Sequence, residues 1–210
     1  MFKEIPVSQC HIETRRKEKV YGAGVNDAPY YTSLDVEGET HNCPFCTRWK
    51  KMLSSCYSIK NGSGVTKSVC NEWMSFMAFR GWMELQSWQG KELTHWLRMP
   101  GATIYSPATC LFVSKRVRSL FPAPTRRRTG RPFGVQATKG RFLVSCSSVG
   151  SKRGYVGSYN TLNEAIEAYI SAKEAEAVNV ACSQKDIMIT KAVLDYSRYF
   201  SDQQRVFKTI

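Results

Sequence analysis

Residues 133–170, FGVQATKGRFLVSCSSVGSKRGYVGSYNTLNEAIEAYI, decide how the second half of this chain folds. Apolar or small residues fall at every second position in three short runs: Phe133, Val135 and Ala137; Phe142, Val144 and Cys146; Tyr155, Gly157 and Tyr159. Period two is the signature of a strand with one face buried. Lys139-Gly140 separates the first run from the second, and Gly150-Ser151-Lys152-Arg153-Gly154 separates the second from the third, so the runs read as hairpin-joined antiparallel strands. The period then changes. Thr161 and Glu164 have the spacing of a capping box, and Leu162, Ala165, Ile166, Tyr169 and Ala172 recur at three and four residues, which predicts a helix. An isolated hairpin is only marginally stable, so the helix must cover one face of the sheet. The other face is left for contact, either with solvent or with a partner.

Upstream of the sheet lies a basic hinge. Lys115, Arg116, Arg118, Arg126, Arg127, Arg128 and Arg131 fall within 17 positions that hold no Asp or Glu. Like charges repel and Pro122-Ala123-Pro124 breaks regular structure, so 123–131 reads as a basic linker. Such a field favours a polyanion, and nucleic acid is the economical partner. Arg141, Lys152 and Arg153 would extend the same surface onto the sheet, where guanidinium groups reach phosphates or guanine edges in a major groove.

Before the hinge the chain is different in character. Trp49, Met52, Leu53 and Cys56, then Trp73, Phe76, Met77, Phe79 and Trp82-Met83, repeat at helical spacing on either side of Asn61-Gly62-Ser63-Gly64. Two amphipathic helices follow, with the aromatic stripe as core. Residues 1–45 have little periodicity and predict an irregular arm or short strands. Leu93–Leu97 reads as a short strand or turn, and Leu111-Phe112-Val113 as an apolar anchor. The C-terminal Ile187–Tyr199 predicts a helix whose Ile189, Val193 and Tyr196 pack back on the rest. The expected organisation is α+β: an N-terminal domain over 1–122, the linker 123–131, a sheet-and-helix domain over 132–182 and a helical tail over 183–210.

Composition narrows the function classes. The 210 residues carry a formal net charge of +13, and the excess is spread: 16 Lys and Arg against 10 Asp and Glu before Pro122, 14 against 7 after it. No window has the apolar length of a membrane span, and nothing behind Met1 resembles a signal peptide, which predicts a cytosolic protein without a membrane partner. Eight cysteines in such a chain are reduced thiols or metal ligands. Cys43-Pro44-Phe45-Cys46 has the spacing of a zinc knuckle, with Cys10-His11, His41, Cys56 and Cys70 as candidate companions; buried thiols are the competing reading.

The ordered string of motifs resembles a phage-encoded family of HNH-type homing endonucleases whose C-terminal part is an APETALA2-type DNA-binding domain. The resemblance rests on Gly24-Val25-Asn26-Asp27-Ala28, Cys43-Pro44, Arg48-Trp49-Lys50-Lys51-Met52-Leu53, Cys56-Tyr57-Ser58, Val69-Cys70-Asn71-Glu72-Trp73 with Phe76 and Trp82-Met83, and the stretch from Tyr105-Ser106-Pro107 to Phe112-Val113. Gly134-Val135, Lys139-Gly140-Arg141-Phe142, Gly157-Ser158-Tyr159, Glu164-Ala165 and Ala168-Tyr169 carry the APETALA2-like part. The family has a Leu-Asp-Lys-Asp-like segment before the Tyr-Ser-Pro motif and an Asn after the Phe-Val anchor, polar residues of a metal-dependent nuclease centre. Here the aligned residues are Leu93-Thr94-His95-Trp96 and Arg118. Neither Thr94 nor Trp96 replaces an anionic oxygen at Mg²⁺, and Arg118 disfavours a bound metal ion while favouring a phosphate.

The resemblance therefore implies a degenerate HNH-like domain and a phage protein that holds double-stranded DNA in the host cytoplasm without cutting it. Two other readings stay open. One is an active metal-dependent endonuclease built on His95, with Asp35 or Glu72 as the carboxylate and Mg²⁺ as cofactor. The other is an interaction protein that inhibits or redirects a host factor.

Overall fold

The computed structural model describes residues 2–58, 67–121, 132–146 and 154–209. Its elements in chain order are α1 (Gln9–Lys17), β1 (Ser33–Val36), β2 (Glu39–Asn42), α2 (Pro44–Tyr57), β3 (Ser68–Val69), a 3-10 turn (Asn71–Met74), α3 (Phe76–Glu84), β4 (Glu92–Thr94), β5 (Ile104–Tyr105), β6 (Leu111–Val113), α4 (Lys115–Leu120), β7 (Val135–Thr138), β8 (Arg141–Cys146), β9 (Gly154–Tyr159), α5 (Leu162–Cys182) and α6 (Ile187–Arg205). The class is α+β. The chain divides into two compact units, one of Met1–Gln89 with Thr103–Phe112 and one of Gly90–Ala102 with Val113–Ile210. The 123–131 linker lies outside the described residues.

In the first unit α2 forms where the periodicity placed it and α3 covers Phe76 onward, while Trp73, read as the start of the same helix, lies in the 3-10 turn before it; the aromatic stripe is core. Trp49, Leu53, Trp73, Phe76, Phe79 and Met83 are fully buried, each worth about 1.5–3 kcal/mol of apolar burial, while Trp82 is half-buried and stacks on Phe112. The Trp49 indole N–H donates to Trp73 O at 2.8 Å, whereas the Trp73 indole N–H is buried without a hydrogen bond. The arm contains short strands, as expected, in the β1–β2 hairpin, and also the helix α1, which was not expected. Arg15 of α1 donates to the carbonyls of Ala28 and Tyr30, and the Asp27 carboxylate accepts from Met77 N–H and Ser75 Oγ–H at the start of α3. A Cβ on Gly24 would collide with the Trp49 ring and Leu53, which is why glycine stands there.

In the second unit β7, β8 and β9 form an antiparallel sheet in that order. Lys139 and Gly140 both have positive φ (43° and 79°), the geometry of a two-residue hairpin turn whose twist matches its strands. Helix α5 starts with the capping box: Thr161 Oγ1 accepts from Glu164 N–H, and Glu164 Oε2 from Thr161 N–H, both at 3.2 Å. It runs 21 residues and buries two sides, because the sheet packs on one and α6 on another. Residues 183–210, read as a tail, thus supply core: Ile189, Val193, Tyr196 and Phe200 are buried, and Gln204 Oε1 accepts from Phe133 N–H at 2.9 Å as the chain enters β7. Trp96 and Phe121 pack on Tyr196 at 4.6 and 4.9 Å between ring centroids.

Candidate nucleic-acid interface

The face of the sheet that α5 leaves uncovered is set by register. Cys146 Sγ stands 3.8 Å from Glu176 Oε2 of α5, which marks the even-numbered side of β8 as the covered one; Val144 on that side is fully buried. The opposite side carries Arg141, Leu143 and Ser145, opposed by Thr138 and Gln136 on β7. On β9 a bulge lies between the pairs Val144↔Gly157 and Ser145↔Tyr155, leaving Val156 as the extra residue. One inserted residue reverses which side the following positions take. Tyr155, grouped with the inward positions by its period, therefore shares the open face with Ser145 and is 69% exposed.

This face is chemically mixed in a way that suits base edges: an amide, hydroxyls, a guanidinium, an aromatic ring and one half-buried leucine. Arg141 Nη2 donates to Ser158 O at 3.3 Å, which steadies the guanidinium across β8 and β9 while using one of its five N–H donors. Gln and Arg side chains make the two-point contacts that distinguish bases in a major groove.

Ser114–Arg118, read as the start of the hinge, is helical. Ser114 Oγ caps α4 by accepting from Val117 N–H at 3.3 Å, and the helix buries Val117 and Leu120 while exposing Lys115 and Arg116. Arg118 is half-buried, its guanidinium 5.2 Å from the Trp96 ring centroid. Stacked on an indole, this cation is committed within its own unit, whereas Lys115 and Arg116 face solvent. Among the expected DNA-binding residues, Arg126, Arg127, Arg128, Arg131, Lys152 and Arg153 lie outside the described residues.

Two positions assigned by the resemblance to one metal centre, those of Trp96 and Arg118, do stand together in space. What they form is a cation–π contact. Thr94, His95 and Trp96 are 1%, 5% and 3% exposed, and Thr94 Oγ1 is buried without a hydrogen bond. A buried hydroxyl, an imidazole and an indole beside a permanent cation do not fit a hard divalent ion, which needs several oxygen ligands. Asp35 on β1 accepts from Thr40 Oγ1 at 2.7 Å and Glu72 is exposed on the 3-10 turn; both belong to the first unit, His95 to the second.

The zinc candidates lie at the start of α2. Cys43 and Cys46 flank the first turn of α2, 1% and 2% exposed, with Cys43 Sγ 3.7 Å from the Tyr30 hydroxyl. Burial pushes the Cys46 thiol above its ordinary value. Among the described residues no three His, Cys, Asp or Glu side chains are grouped to hold an ion, and no helix is long and apolar enough to cross a membrane.

The bulge that turns Tyr155 outward and the Trp96–Arg118 contact escaped sequence reasoning, since both depend on pairing between distant segments. No family model matches the chain, and no curated protein and no solved structure matches it either.

Proposed function

We infer that this protein binds double-stranded DNA through the open face of the β7–β8–β9 sheet together with the basic residues of α4 and the linker, and that its N-terminal part is a degenerate HNH-type nuclease scaffold of phage homing-endonuclease ancestry. The observation that carries this reading is the sheet itself: one side is closed by α5, and the other presents Arg141, Gln136, Thr138, Ser145 and an exposed Tyr155. A sheet with one polar, cationic face can lie in a major groove. Phosphate contacts from Lys115, Arg116 and the linker arginines would set its register on the duplex, and the sheet residues would read base edges.

The loss of cutting is part of the same reading. The positions that would hold a metal ion carry Thr94, His95, Trp96 and Arg118, of which the first three are buried. No hydrolytic step is assigned to them.

The test is capture of a mixed-sequence duplex pool by the purified full chain at low salt. Retention that is abolished by a polyanionic competitor is the expected result. Failure to retain any duplex contradicts the reading, and a host protein retained after complete nuclease digestion, with no duplex bound, would favour the host-factor alternative.

A further inference from the structure

Among the described residues Lys173 is the one Lys, Arg, Asp or Glu in the buried class, at 2% exposed. Taking an ammonium out of water costs several kcal/mol unless it is paired and hydrogen-bonded. Its Nζ donates to Leu120 O at 2.8 Å and to Glu176 Oε2 at 3.0 Å. Leu120 ends α4, and the last carbonyls of a helix have no partner within it. With six residues, α4 is also far below the length at which a helix persists by itself. It is held by the burial of Val117 and Leu120, with Ser114 closing its first turn and Lys173 its last.

The second contact of Lys173 reaches the sheet. Glu176 Oε2, which accepts from Lys173, also stands 3.8 Å from Cys146 Sγ on β8. Leu120, Lys173, Glu176 and Cys146 thus form a continuous chain from α4 across α5 to the central strand, buried except at the partly exposed Glu176. At one end of it are the exposed cations Lys115 and Arg116; at the other is the strand that carries Arg141.

We propose that Lys173 is a positioning residue of the DNA-binding surface, fixing α4 on the helix that carries the sheet so that Lys115 and Arg116 meet the phosphates of the duplex the sheet occupies. This rests on the DNA-binding reading above. A rigid link makes the second set of contacts intramolecular once the first has formed, and a loose α4 forfeits that gain.

The experiment uses the full chain and a mixed-sequence duplex, with affinity followed by anisotropy as salt is raised. K173M/E176Q removes the anchor without leaving the Glu176 carboxylate stripped of its ion pair, E176Q removes the ion pair but keeps the bond to Leu120, and K115A/R116A removes the cations. The slope of log affinity against log salt is expected to fall by about 2 in K173M/E176Q, roughly 0.9 for each phosphate that is no longer neutralised, and equally in K115A/R116A. Combining the two sets is expected to lower the slope no further, while E176Q keeps the wild-type slope. A residue with only a structural role would lower the amount of folded protein and leave the slope unchanged.

An unchanged slope in folded K173M/E176Q, or a decrease that adds to that of K115A/R116A, overturns the proposal while duplex binding by the wild type leaves the functional reading standing. A wild-type protein that binds no duplex ends both. If K173M/E176Q does not fold, hydrogen exchange on the wild type decides: the amide of Arg118, bonded to Ser114 O at 2.9 Å, and its neighbours in α4 must be protected as well as those of α5. Free exchange throughout α4 overturns the proposal.

Discussion

Gly134→Ala is the substitution whose cost can be worked most fully from geometry. Gly134 has φ +72°, a region in which an L side chain costs about 1–2 kcal/mol. An added Cβ would collide with the Tyr169 ring and come to 2.7 Å from Ser145 O. Tyr169 is 5% exposed and packed near Phe200, so the ring has little room to retreat, and overpacking of this kind costs about 1–3 kcal/mol. The reduced freedom of the unfolded chain returns about 0.4–1 kcal/mol. The net expectation is a loss of about 2–4 kcal/mol. With a urea dependence of about 2 kcal/mol per molar, the unfolding midpoint moves down by about 1–2 M. Adding Tyr169→Leu to Gly134→Ala should relieve the overlap and leave the backbone cost, so the cycle should show the two changes partly compensating. A Gly134→Ala midpoint within experimental scatter of the wild type refutes the claim that β7 enters the sheet against α5 in this conformation.

Stability should also fall at alkaline pH. Burial pushes the Cys110 thiol up to about 12 and raises Cys46, so the folded chain keeps protons that the unfolded chain sheds from about pH 9. The stabilisation is complete below that pH and is lost as pH climbs toward 12, at about 1.4 kcal/mol per pH unit for Cys110; urea melts at pH 8 and pH 10 check it, and equal stability at both refutes it. Tyr155→Ala, on a side chain 69% exposed, should change stability by less than about 0.5 kcal/mol yet weaken duplex binding measurably. Arg127→Ala and Arg128→Ala should weaken binding alike on unrelated duplexes, while Arg141→Ala should alter base preference in a selection from random sequences; equal effects of all three remove base reading from the sheet. Supercoiled plasmid should stay intact in Mg²⁺, Mn²⁺ or Zn²⁺, and nicking that disappears in His95→Ala would restore the enzymatic alternative.

What the sequence disclosed follows from how local each signal is. The Thr161–Glu164 capping box, the Lys139-Gly140 turn and the apolar period of α2 and α3 are written within a few residues, and the corresponding elements stand where they were read. Helix α1 buries only Ile12, so there was no apolar stripe to detect. Helix α4 is short and carries three cations, which reads as the start of a basic hinge until Ser114 and Lys173 are seen at its two ends. Lys173 interrupts the apolar pattern of α5, and its bonds to Leu120 and Glu176, 53 and three residues away, are not legible in that pattern. Tyr155 obeys period two within its strand, and the bulge that turns it outward is a property of two strands rather than one.

The central claim is that cationic side chains of the sheet, α4 and linker meet a phosphate backbone, and the direct measurement is duplex affinity between about 50 and 200 mM salt. Neutralising six to ten phosphates predicts a fall of about 10³–10⁵ over that range with a straight line of log affinity against log salt. Affinity that stays flat as salt rises, or duplex binding absent at the lowest salt, contradicts the account.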